Sequence, residues 1–150
     1  MDKTDSLNPK PEIVDLTDPW QRLSTVLQTA TDVKQSFSLL IEPSIKGWKV
    51  CSLGYGRKAA GESPWDIMNP AIRMSSLYGF SKEDRTKLRR CPEIDCNFCG
   101  RLSSVIAHLN DHHRFSIPMV GKLIMSIKND TREIPSLKEI SFSKIKSIFK

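Results

Sequence analysis

Apolar residues recur every three to four positions in three stretches of this chain, and each predicts a helix. The first follows Asp18-Pro19, a helix start with Asp at the cap and Pro in the first turn. Trp20, Leu23, Val26 and Leu27 then share one face, and the pattern predicts helix to about residue 34. The second, Arg101 to Asn110, places Leu102, Val105, Ile106 and Leu109 on one side. The third opens at Ser116 and Pro118, carries Ile117, Val120, Leu123, Ile124 and Ile127, and ends at Asn129-Asp130.

Between these stretches the signals are shorter. Phe37 to Ile41 and Trp48 to Val50 read either as short strands or as one packed loop around Gly47. The glycines between Cys51 and Gly61 argue against a long helix there. Trp65 to Leu77 predicts a helix broken or restarted near Pro70. Ser81 with Asp84 resembles a capping box and opens a short basic helix to about Arg90. The fold class is therefore mainly α, or small α+β. It has about four or five helices around a compact Cys/His segment, with one short β-hairpin as an option.

The ends differ from the middle. Residues 1–17 are polar, acidic and twice interrupted by proline, the composition of a disordered arm. Residues 18–128 form one small domain holding a metal segment at 91–113. Residues 129–150 form a basic amphipathic helix or tail, with Leu137, Ile140, Ile145, Ile148 and Phe149 on a broad apolar face. With 39% hydrophobic residues in 150, any single core is small, and small cores are often reinforced by a metal.

Charge sharpens this division. Asp2, Asp5, Glu12, Asp15 and Asp18 against Lys3 and Lys10 give the first eighteen residues −3, leaving +9 on the rest of a chain whose net charge is +6. An acidic arm ahead of a basic body suits contact with nucleic acid or with an acidic protein surface. No apolar run follows Met1, and none approaches the ~18–20 residues of a transmembrane helix, so a protein that is not secreted is expected.

The chemistry concentrates in one place. Three of the four cysteines, Cys91, Cys96 and Cys99, fall within nine residues and lie close to all three histidines. Without an export signal, that arrangement reads as metal binding rather than cross-linking. The pair Cys96-Asn-Phe-Cys99, followed by Gly100, predicts a turn that aims two thiolates at one point. His108 and His113, near the end of the second helix, complete a set of four zinc ligands: Cys96, Cys99, His108 and His113. Cys91 and His112 are the alternates. The gap from Cys99 to His108 is eight residues, shorter than the roughly twelve of the usual finger. Asn110 and Asp111 read as helix terminators, with Asp111 alternatively orienting a ligand imidazole.

The string Ile106-Ala-His-Leu-Asn-Asp-His-His-Arg-Phe-Ser116 resembles the HLND-x-H-x-W-S signature of small proteins from tailed bacteriophages and prophages. Cys51-Ser-Leu-Gly54 resembles a C-A-L-G segment often found upstream in that group. The match covers about residues 48–128, with Phe115 in place of Trp and one cysteine more than the pattern holds. The resemblance implies that His108 and His113 are the matching histidines. It also implies residence in the cytoplasm of a bacterial host or in a virion, and it carries no settled activity.

Function follows from the surroundings of the metal segment. Arg85, Lys87, Arg89 and Arg90 place four positive charges in six residues just before it, the pattern of a phosphate-contacting patch. Ser103 and Ser104 are nearly the only candidates for base contact, so sequence-tolerant binding is expected rather than base readout. The chain reads as a non-enzymatic binding module. The alternative is a factor that binds a host or virion protein without nucleic acid. A small metal-dependent nuclease, loosely evoked by His108, Asn110 and His113, is the lesser reading, since two Cys and two His close the coordination shell.

Overall fold

A computed structural model describes residues 17–45, 47–68 and 78–134. The expected N-terminal arm, the second half of the helix expected over 65–77, and the apolar face from Leu137 onward lie outside the described residues.

Helix α1 (Pro19–Gln28) begins as its sequence dictates, with the Asp18 carboxylate accepting from the Trp20 amide at 3.2 Å. It stops six residues short of the expected end. Thr29 turns its hydroxyl back onto the Val26 carbonyl at 2.6 Å, and Asp32 takes a left-handed backbone at φ 58°. Apolar periodicity cannot see this stop, because Val33 continues the stripe in sequence but not in helix. Strands β1 (Ile41–Ser44) and β2 (Gly47–Val50) then pair antiparallel, Ile41 opposite Val50 and Ser44 opposite Gly47. Gly47, at φ 128°, makes the turn. Trp48 to Val50 is thus a strand, whereas of the expected Phe37 to Ile41 strand only Ile41 pairs and residues 37–40 remain irregular.

Helix α2 (Ser52–Ala59) forms despite its glycines, and Gly54 is there for space: a side chain at this position would run into the Leu40 backbone carbonyl. The short α3 (Pro64–Ile67) carries a complete capping box between Ser63 and Asp66. Its C-terminus is held by Arg57, fully buried, which donates to the Ile67 and Asp66 carbonyls and pairs with Glu62 at 3.2 Å. Helix α4 (Lys82–Thr86) starts at the Ser81 cap but ends before Arg90. Arg89–Arg90 instead form strand β3, paired with β4 (Cys99–Gly100). Helices α5 (Leu102–Asp111) and α6 (Ile117–Asn129) complete a mainly helical fold with six helices and two small hairpin sheets among the described residues.

The core lies where α1, α5 and α6 meet. Leu23 and Leu27, Val105, Ile106 and Leu109, and Val120, Ile124 and Ile127 are all essentially without solvent exposure. Each such side chain contributes roughly 1.5–3 kcal/mol of transfer free energy. Helices α1 and α6 cross closely at Gly121, where an added methyl would sit 2.9 Å from Leu27 Cβ, while the Ser24 hydroxyl donates to the Gly121 carbonyl at 2.8 Å. No helix among the described residues is long and apolar enough to cross a membrane.

Candidate metal centre

The site is built from one hairpin and one helix end. Strands β3 and β4 are paired with Arg90 opposite Cys99, and the ladder continues as the Cys91 amide donates to the Phe98 carbonyl at 2.8 Å. Cross-strand partners share a face of a sheet, and successive residues alternate between faces. Cys91 and Phe98 therefore face the helix, and Phe98 stacks on the His108 ring with centroids 4.0 Å apart. Cys99 falls on the opposite face with Arg90. In the connecting loop, the Cys96 amide donates to the Glu93 carbonyl at 3.2 Å, a turn that carries its thiol back toward the helix.

The histidines come from the end of α5. His108 is within its last turn, and the amides of His112 and His113 both donate to the His108 carbonyl. Arg114 then adopts a left-handed backbone at φ 54°, its guanidinium 4.3 Å from the Phe37 ring centroid. That reversal brings His113 back alongside His108.

The ligating atoms of Cys91, Cys96, His108 and His113 all lie within 4.8 Å of one another. Cys96 Sγ is 3.2 Å from His108 Nε2, and Cys91 Sγ is 3.6 Å from His113 Nε2. Zinc bonds of about 2.3 Å to sulfur and about 2.05 Å to nitrogen at tetrahedral angles require S···N separations of about 3.6 Å. The two S···N separations, 3.2 and 3.6 Å, lie close to that value, so the cluster is of a size to hold such an ion. Burial, reinforced by His113 and His112, lowers the His108 pKa to about 4, so its imidazole is neutral and free to donate a lone pair. Burial pushes the Cys91 thiol well above its ordinary range, so metal binding there must expel a proton.

The structure brings Cys96, His108 and His113 together as the sequence suggested, with Cys91 rather than Cys99 as the fourth member. Cys99 Sγ instead contacts the Asn97 carbonyl at 3.5 Å. The Cys-x-x-Cys spacing misled because it implies a knuckle turn, whereas residues 96–99 are leaving the loop to enter a strand. With Cys91 and Cys96 as the pair, eleven residues separate Cys96 from His108. Strand, strand, helix, with two cysteines on the hairpin and two histidines at the helix end, is the layout of a two-cysteine, two-histidine finger. His112 stays exposed, stacked on His108 with centroids 4.8 Å apart.

The four expected phosphate-contacting residues divide. Arg89 is buried: it pairs with Asp84 at 3.0 Å and lies 4.6 Å over the Trp20 ring, which itself donates to Asp84. Its role is to fix α1 to the metal hairpin. Arg90 donates to the Glu133 carbonyl and to Asn97, Arg85 is half-buried, and Lys87 is exposed. Sequence reasoning missed two contributors. Arg101 is exposed at the open end of the β3–β4 hairpin. Arg132, held by Asp130 at 2.6 Å, donates to the Cys91 carbonyl at 2.7 Å and to the Glu93 carbonyl at 3.4 Å. It thereby ties residues 130–134 to the metal loop.

Asn110 is a buried hub as well as a helix end. Its Oδ1 accepts from Gln35 and from Ser52, and its Nδ2 donates to the Ser36 carbonyl and to Asp111. Compared with known protein families, characterised proteins and solved structures, the chain matches none.

Proposed function

We propose that this protein is a zinc-stabilised binding module that makes weak, sequence-tolerant contact with nucleic acid, an accessory factor of the kind small phage proteins provide. The observation that carries the reading is the convergence of Cys91, Cys96, His108 and His113 from a hairpin and a helix end onto one point. Four protein donors close a tetrahedral shell, which makes the ion structural and leaves no position for a nuclease's water. The metal would fix the hairpin against α5, and so fix what the hairpin displays.

What it displays is positive. Lys87 just precedes β3, Arg90 lies within it, and Arg101 follows β4, so all three are carried on the hairpin beside the start of α5. In a finger of this layout the helix N-terminus is the part that meets nucleic acid. Here that part offers Arg101, Ser103 and Ser104, which suit phosphate and sugar contact better than base edges. The test is binding to short duplexes of unrelated sequence across a salt series. Each lost phosphate contact should reduce the salt slope by ~0.9, so replacing Lys87, Arg90 and Arg101 together should flatten it. Unchanged slope in that variant removes the nucleic-acid reading.

One observation favours contact with a protein instead. Trp65 is 74% exposed and sits edge-on to Trp48 at 6.2 Å, an aromatic surface at the β1–β2 hairpin that no phosphate would need. Binding that survives high salt but is lost on Trp65→Ala would select this second reading.

A further inference from the structure

We propose that the metal site is also a switch released by oxidation, in which a peroxide joins Cys91 and Cys96 as a disulfide and frees the ion. This rests on the zinc reading above and adds a means of regulating the same site.

The two sulfurs belong to one cluster, within 4.8 Å of each other, and closing them to a bond of about 2.05 Å requires only the intervening loop to flex. Their environments differ in a way that assigns roles. Cys91 has no solvent exposure, while Cys96 lies on the wall of an open cleft of about 370 Å³ shared with Glu93, Asp95 and His112. A small oxidant therefore reaches Cys96 and not Cys91. The Arg132 guanidinium, anchored on the Cys91 and Glu93 carbonyls, holds the start of the loop that carries Cys96.

The steps balance. The Cys96 thiolate attacks one oxygen of hydrogen peroxide, giving the sulfenic acid and releasing hydroxide. The Cys91 thiolate then attacks the Cys96 sulfur, forms the disulfide and expels a second hydroxide. Two electrons pass from the two thiolates to the peroxide. The ion loses two of its four donors, and His108 and His113 alone cannot retain it. A dithiol reductant returns two electrons and two protons and restores the site. Cys99, on the far face of the hairpin with Arg90, takes no part.

The experiment uses the full chain and its Cys99→Ser variant. Zinc is measured first, and one equivalent of hydrogen peroxide is then added with a chromogenic chelator present while free thiols are counted. The expected result is one zinc released for every two thiols lost, in both proteins. Peptide mapping should find a Cys91–Cys96 disulfide, and a dithiol with added zinc should reverse the loss. Thiol loss with zinc retained, zinc loss with only higher oxides on Cys96, or a disulfide through Cys99 would each overturn the proposal. A protein that holds no zinc before peroxide is added overturns the zinc reading itself, and this one with it.

Discussion

Asn110 Oδ1 accepts from both the backbone amide and the hydroxyl of Ser52, at 2.9 and 2.8 Å. The two segments singled out in sequence, around Cys51-Ser-Leu-Gly54 and around His108-Leu-Asn-Asp111, thus meet in space. Asn110 secures the end of α5, from which the metal-facing histidines project, against the first hairpin and α2.

Asn110→Ala should remove these bonds and strand buried donors and acceptors on Ser36, Gln35 and Ser52. An unsatisfied buried group costs about 1–3 kcal/mol, so a loss of roughly 3 kcal/mol or more in stability is expected from denaturant unfolding. Asn110→Asp keeps the acceptor but sets a buried carboxylate oxygen against the Ser36 carbonyl and the Asp111 carboxylate, and should also be clearly less stable than wild type. Equal stability of all three would show that the hub contributes nothing.

The α1–α6 crossing makes a steric prediction. Gly121→Ala places a methyl 2.9 Å from both Leu27 Cβ and the Ser24 carbonyl oxygen, and backbone cannot give way cheaply. Overpacking of this kind costs ~1–3 kcal/mol, although alanine is the better helix former by about 1 kcal/mol. A net destabilisation in thermal unfolding is expected, and a raised midpoint would mean the helices can separate without cost.

Much of this packing was legible in the sequence. The stripes Trp20–Leu27, Leu102–Leu109 and Ile117–Ile127 each became a buried helix face, because local periodicity and tertiary burial agree there. The Cys/His cluster was legible too, down to three of its four members. What failed depends on non-local pairing. Spacing along the chain favours Cys99 and leaves Cys91 as the alternate, because it cannot show which face of a strand a residue occupies. Local spacing makes Arg89 a surface cation, because nothing local reveals that Trp20, distant in sequence, covers the guanidinium that Asp84, five residues before it, pairs with. The end of α1 was missed because a threonine hydroxyl and a left-handed Asp32 outweigh apolar spacing.

Tyr78 gives a pH prediction. Its hydroxyl donates to the Gly56 carbonyl at 2.7 Å, and burial raises its pKa to about 12, partly offset by the Arg22 guanidinium over its ring. A folded pKa above the unfolded value of about 10 stabilises the fold in full below pH 10. That contribution is lost as pH rises from about 10 through about 12. With only two tyrosines in the chain, tyrosinate absorbance resolves them. Ionisation of Tyr78 should come late and coincide with loss of stability, and Tyr78→Phe should remove that coincidence. A Tyr78 that titrates near 10 in the folded protein contradicts the burial.

Arg132 makes a prediction about the metal loop. Its bonds to the Cys91 and Glu93 carbonyls orient the loop without touching the ion. Supporting contacts of this kind typically contribute ~10–100-fold in metal affinity, so Arg132→Ala should weaken zinc binding in competition with a chelator by about that factor. Arg132→Lys, which cannot span both carbonyls, should recover little. Unchanged affinity in the alanine variant would make the contact incidental.

The most direct measurement of the central claim is zinc content per chain in protein purified without added metal. It should be compared across Cys91→Ser, Cys96→Ser, Cys99→Ser, His108→Ala, His112→Ala and His113→Ala, with amide exchange followed over residues 88–115. Closing four ligands on zinc supplies ~10 kcal/mol or more of apparent folding free energy. One ion per chain is therefore expected in wild type, Cys99→Ser and His112→Ala. The other four should lose both the ion and the protection of the hairpin and of the end of α5. A Cys99→Ser protein that loses zinc while Cys91→Ser keeps it, or a wild-type protein fully protected with no metal, would contradict the account.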